Sequence, residues 1–188
     1  MNRFALSLVI LLFVPPTFAQ TAPAPVAPLV PTANPADVSS PDAIIASLYD
    51  VISGPARKKR DWDRFRSLFA TGARMIPVGP RLTATGGGFR ARVLSPEDYI
   101  TTSGPFLENN GFFENEIARR TERFGDILHA FSTYEGRRAS PDEIPFLRGI
   151  NSIQLYNDGS RWWIVTVFWQ AESPSNPLPT EFLPAMKR

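Results

Sequence analysis

"GINSIQLYNDGSRWWIVTVFWQAE", residues 149–172, reads as two long runs of β-branched and aromatic residues joined through Asp158-Gly159. Aspartate–glycine between such runs is a strong hairpin signal, because glycine takes the positive φ that a tight turn needs. A two-residue loop would set Leu155 against Trp162, Ile153 against Ile164, Asn151 against Thr166 and Gly149 against Phe168 on one face. The other face would carry Gln154 with Trp163, Ser152 with Val165, Ile150 with Val167 and Arg148 with Trp169. Both faces are largely apolar, whereas an antiparallel sheet with one wet face alternates more cleanly. One face is therefore expected to cover helices. The other, through Ile150, Ser152, Gln154, Trp163, Val165, Val167 and Trp169, is expected to meet a second copy in a homodimer.

Working upstream, Phe113 to Phe124 and Asp126 to Arg137 form another strand pair, joined at Phe124-Gly125. Before them the texture is helical. Ser40-Pro41-Asp42 is a capped helix start, and Ile44, Ile45, Leu48, Tyr49 and Ile52 recur at helical spacing until Gly54-Pro55. Asp61 caps a short helix over Trp62 to Phe69, and Ser95-Pro96-Glu97-Asp98 opens a third that runs to about Asn109. Ala73 to Val78 reads as a strand. Helices first and antiparallel strands after give an α+β class, with helices on one face of a curved sheet. Gly86-Gly87-Gly88 lacks the following helix and the Gly-Lys-Ser/Thr ending of a phosphate loop and reads as a hairpin connection.

The chain has 188 residues, no cysteine and a formal charge of +2. Such a near balance gives no argument for a nucleic-acid partner. Residues 1–19 have the pattern of a secretory leader: Arg3, an apolar run from Phe4 to Val14, and small residues at the Thr17-Phe18-Ala19 cleavage position. That run is about half the ~20 residues a membrane span needs, so a periplasmic or secreted protein is expected, with no span after cleavage. Residues 20–39 read as a Pro/Ala-rich linker, 40–172 as one domain and 173–188 as a Pro-rich tail. The basic run Arg57-Lys58-Lys59-Arg60 reads as a solvated loop.

His129 is the sole histidine. It shares a strand face with Phe131, Thr133 and Glu135, while Ser132 points the other way. Glu135 lies about 20 Å along the strand at ~3.3 Å per residue, so neither residue forms a catalytic couple with it locally. His129 suits proton transfer only if Tyr49, Asn151, Arg119 or Arg120 reaches it; otherwise it lines a pocket or is plain structure. Asn151 and Thr166 are polar positions on an apolar face, and either satisfy each other or mark an opening to a pocket. The arginines at 119, 120, 123, 137 and 138, with Glu114, Glu116, Glu122 and Glu135, read as cross-strand charge pairing. One histidine and no cysteine give no support for a metal site, and no cofactor motif is present.

The segments GFFENEI (111–117), HAFSTYEGR (129–137), RGINSIQL (148–155) and NPLP (176–179) resemble exported bacterial members of the nuclear transport factor 2-like (SnoaL-like) superfamily. The resemblance implies a cone-shaped sheet wrapped round helices with a pocket at its open end. It implies first a small-molecule-binding domain whose ligand, apolar or amphipathic, is expected against Tyr49, His129, Asn151 and Thr166. The alternatives are an acid–base enzyme of isomerase, dehydratase or cyclase type using His129, and an assembly module dimerising through the outer sheet face. The superfamily's catalytic motifs do not map onto this chain residue by residue.

Overall fold

The computed structural model describes residues 30–80, 88–140 and 144–184. Residues 1–29, with the expected leader and most of the expected linker, residues 81–87, with the expected Gly86-Gly87 connection, and residues 141–143 and 185–188 lie outside them. The elements run α1 (Pro35–Val38), α2 (Pro41–Ile52), α3 (Trp62–Ser67), β1 (Phe69–Pro80), β2 (Phe89–Ala91), α4 (Pro96–Asn110), β3 (Phe113–Phe124), β4 (Ile127–Arg137), β5 (Leu147–Asn157) and β6 (Trp162–Ala171). A single 3-10 turn, Thr180–Phe182, follows. Six strands form one sheet in the order β2-β1-β6-β5-β4-β3, all neighbours antiparallel except β1 and β6. The α+β class holds.

Each helix starts where its cap predicts. Ser40 Oγ accepts the Ala43 amide, Asp61 accepts the Arg64 amide, and Ser95 with Asp98 completes a reciprocal capping box. Satisfying these orphan donors is worth about 1 kcal/mol per helix. Behind the caps, Ile44, Ile45 and Leu48 of α2 meet Ile153, Ile164 and Val167 of the sheet in one core. Phe65 locks α3 into that core, its ring 4.7 Å from Phe69 and stacked 5.5 Å from Tyr99.

Three boundaries differ from the sequence reading. The domain begins before Ser40: Val38 is in the core, and the Asp37 carboxylate takes Arg64 Nε at 2.7 Å and Ser47 Oγ at 3.0 Å. Arg60 is not solvated. It is buried and donates to the carbonyls of Ile52, Gly54, Lys58 and Leu107, closing the C-terminal ends of α2 and α4 with the positive charge those ends favour. The tail lies on the sheet: Thr133 Oγ1 donates to the Phe182 carbonyl at 2.6 Å, and the Phe131 and Phe182 rings meet at 5.0 Å.

The decisive correction is the β5–β6 register. The loop holds four residues, so Asn157 pairs with Trp162 and Leu155 with Ile164. Asp158 Oδ1 accepts the Ser160 and Arg161 amides and pins that loop. One extra residue, Val165, then bulges out, so that Gln154 pairs with Thr166, Ile153 with Val167 and Asn151 with Trp169. A one-residue slip sends every later side chain to the opposite face. Val167 and Trp169, expected outside, therefore pack inward, and Thr166, expected on the pocket face, pairs outward with Gln154.

Candidate functional site

Inside the cone, α2 and α4 stand over the concave sheet and leave a pocket of about 190 Å³. Leu48, Met75, Leu107, Phe112, Val167 and Trp169 supply much of its apolar wall, and Tyr99, Ser103, Tyr134, Asn151 and Glu114 are its polar lining. Glycine makes room on one side. Gly149 is paired with Tyr134 across β4 and β5, and a Cβ there would sit 2.5 Å from the tyrosine hydroxyl and 2.4 Å from the Gln170 carbonyl oxygen. The missing side chain lets the Tyr134 ring lean across the strand into the pocket.

Glu114 is the residue that the sequence did not single out. Read by strict alternation, Phe113 and Ile117 of GFFENEI would be the inward side chains and the glutamates the wet ones. A bulge at Ile117 disrupts that reading: Glu116 pairs with Tyr134, and Ala118 with Thr133. Glu114 lies two residues before Glu116, on the same inward face, and its carboxyl looks into the cone. Asn151 Nδ2 reaches it at 3.4 Å, and among the described residues no arginine, lysine or histidine forms an ion pair with it. Burial raises its pKa to about 8, against the partial relief of the Asn151 contact. Burial and the Glu114 charge likewise push the Tyr99 and Tyr134 phenols above their ordinary range. Both hydroxyls are free of hydrogen-bond partners among the described residues, yet no buried polar atom is left unsatisfied, so both open into the pocket.

Of the residues expected at the site, Asn151 lines the pocket and Tyr49 stands directly behind it, accepting Asn151 Nδ2 at 3.0 Å. Thr166 faces away. His129 is on the convex face: it pairs with Gln154, its Nε2 lies 2.9 Å from Ser152 Oγ, and its ring stands edge-on to Phe131 at 6.0 Å. The inward residues of β4 are Leu128, Ala130, Ser132 and Tyr134, all buried; Tyr49, Asn151 and Arg119 belong to that side, while Arg120 shares the convex face with His129 but lies over the Phe182 ring at 5.0 Å. Ile150 and Ser152, assigned to a dimer face, lie beneath the tail residues Leu178, Pro179 and Phe182. Among the described residues, no three His, Asp or Glu side chains converge as a metal site.

No protein-family model matches the chain, and no curated protein matches it significantly in sequence. Solved structures do. A protein of unknown function with a cystatin-like fold from Nostoc punctiforme superposes with a TM-score of 0.50 at 13% identity, over 72% of this chain and 90% of that one. Helices held in a curved six-stranded sheet, with a pocket between, complete the description. The chain shares the cystatin-like fold of that protein. Two further structures are similar over much of their length. They are a candidate ketosteroid isomerase of Parabacteroides distasonis (TM-score 0.46, 12% identity, 72% and 89% covered) and a nuclear transport factor 2-like protein of unknown function from Shewanella baltica (0.42, 11%, 69% and 89%). One fold hosts many activities, so the function of this chain has to be argued from its own pocket.

Proposed function

We infer that the cone binds a compact, uncharged, mostly apolar molecule that carries one oxygen function, with Glu114 as the group that meets that oxygen. The carrying observation is the Glu114 carboxyl itself: it is half-buried in a largely apolar pocket, unpaired with any cation among the described residues, and flanked by two phenols open to the same space. A volume near 190 Å³ is slightly above the ~150 Å³ hydrocarbon-lined cavity that holds benzene. One ring with a short substituent fits; a fused polycycle does not. Protonated Glu114 and the Tyr99 and Tyr134 hydroxyls offer donors to a carbonyl or hydroxyl, while a ligand anion would meet the carboxylate form with repulsion. A carboxyl titrating near neutrality is also matched to proton transfer, so the same group serves binding and acid–base turnover.

Native mass spectrometry of protein purified from its own host tests this, together with titration by single-ring phenols and ketones. Trp169 in the pocket wall reports occupancy through its fluorescence. The expected result is a retained small molecule, or saturable quenching that weakens at least tenfold in Glu114→Ala. A bound species altered in mass during incubation would identify turnover. Quenching that is absent for the whole panel, with no retained mass, would remove the pocket as a binding site.

A further inference from the structure

Resting on that reading of the pocket, a second feature concerns how Glu114 is controlled. Asn151 Nδ2 is shared between Glu114 and Tyr49 Oη, at 3.4 and 3.0 Å. Tyr49 Oη lies 2.7 Å from Ser132 Oγ, and Ser132 Oγ donates to Glu116 Oε1 at 2.5 Å. Glu116 is clamped by Arg119 through Nε at 2.6 Å and Nη2 at 2.5 Å, and Arg119 reaches on to Asp42 at the surface. Tyr49, Ser132 and Asn151 are all buried. The bulge at Ile117 makes the clamp possible, because residues three apart on a regular strand point to opposite faces.

This chain has only one internally consistent direction. The Glu116 carboxylate accepts; Ser132 has one proton and spends it there. Tyr49 must therefore give its proton to Ser132, which leaves its lone pairs facing Asn151. A flipped Asn151 would point its own oxygen at those lone pairs, so the amide nitrogen is held toward both Tyr49 and Glu114. We propose that Arg119, Glu116, Ser132 and Tyr49 form a polarised hydrogen-bond relay that fixes the Asn151 amide toward the Glu114 carboxylate and thereby sets when that carboxyl releases its proton. Tyr49 and Ser132 are positioning residues, acting on Glu114 only through Asn151. The other titratable groups facing Glu114 are Tyr99 from α4, Tyr134 from β4 and Glu116 on its own strand; none lies between Ser132 and Asn151.

The test is the titration midpoint of the Glu114 carboxyl, read by carbon NMR on the full chain with labelled glutamate and assigned with Glu114→Gln. Ser132→Ala changes no charge and leaves the Glu116–Arg119 clamp in place. It frees the Tyr49 proton to turn to the Asn151 oxygen. The midpoint is expected to rise by roughly 1–2 pH units, the size of one hydrogen bond to a charged group. Tyr49→Phe is expected to do the same, Ser132→Thr to restore the wild-type midpoint, and Asp42→Asn to leave it unchanged. Midpoints in Ser132→Ala and Tyr49→Phe within 0.2 pH unit of wild type, or below it, overturn the relay. A wild-type midpoint in the ordinary carboxylate range would instead count against the perturbed-carboxyl reading of the pocket, and the relay would still stand or fall on the differences between variants.

Discussion

Glu114 has a measurable consequence beyond any ligand. Its pKa in the folded chain is pushed to about 8, above the ordinary 4.5. The folded protein therefore keeps a proton that the unfolded chain has already released across that window. Stability from this group is fully present below about pH 4.5, declines as pH rises toward 8, and is level above it. Asp37, held low by Arg64 and Ser47, acts in the opposite sense and only at more acid pH. Between pH 5 and 8 the wild-type Tm is expected to fall by about 5 °C or more relative to Glu114→Gln. Parallel Tm curves, followed by circular dichroism, would contradict the raised Glu114 pKa. At this scale the sequence was least legible. A lone histidine draws the eye, but alternation alone cannot say which face is inside, and His129 went out where Tyr134 went in.

Element boundaries, by contrast, could be read closely. Caps at Ser40, Asp61 and Ser95, and long β-branched runs, place three helices and four strands within a few residues of their observed ends. Bulges could not. One additional residue leaves composition and periodicity almost untouched, yet it inverts a strand from that point on. Two such insertions, at Ile117 and Val165, account for the misplacement of Glu114, Thr166, Val167 and Trp169. Deleting Val165 should therefore leave a folded chain with the same faces, because Thr166 then follows Ile164 in ordinary alternation and Val167 and Trp169 still point inward. Val165→Ala keeps the residue count at a site that is 38% exposed, and is expected to cost less than ~1 kcal/mol in urea denaturation. A deletion variant that loses its cooperative urea transition while Val165→Ala keeps it would contradict this reading of Val165 as the extra residue.

For the molecule as a whole, the proline-rich tail is part of the fold. From Glu172 it turns at Ser173–Asn176 and brings Leu178 and Phe182 over the convex sheet. Proline content marks the segment only as a tail; the partner surface, made from β4, β5 and β6 together, shows that it is anchored. A chain ending at Glu172 loses the Thr133–Phe182 hydrogen bond and the Phe131–Phe182 contact. It should be about 2 kcal/mol less stable in urea. It should also self-associate more in sedimentation, through the uncovered Phe131, Ile150 and Phe168. An unchanged midpoint and sedimentation profile would mean the tail contributes nothing.

The parallel pairing of β1 with β6 also governs the order in which the molecule can be made. β1 leaves the ribosome early, but apart from the three-residue β2 its neighbour is the last strand, from Trp162 to Ala171. Loop-closure entropy across that span has to be met before the contact gives anything back. The nascent chain can form its helices and the β3–β4 hairpin as they emerge, yet the cone has no closed wall until synthesis is nearly finished. The pocket, with Trp169 on one side and Glu114 on the other, is assembled last.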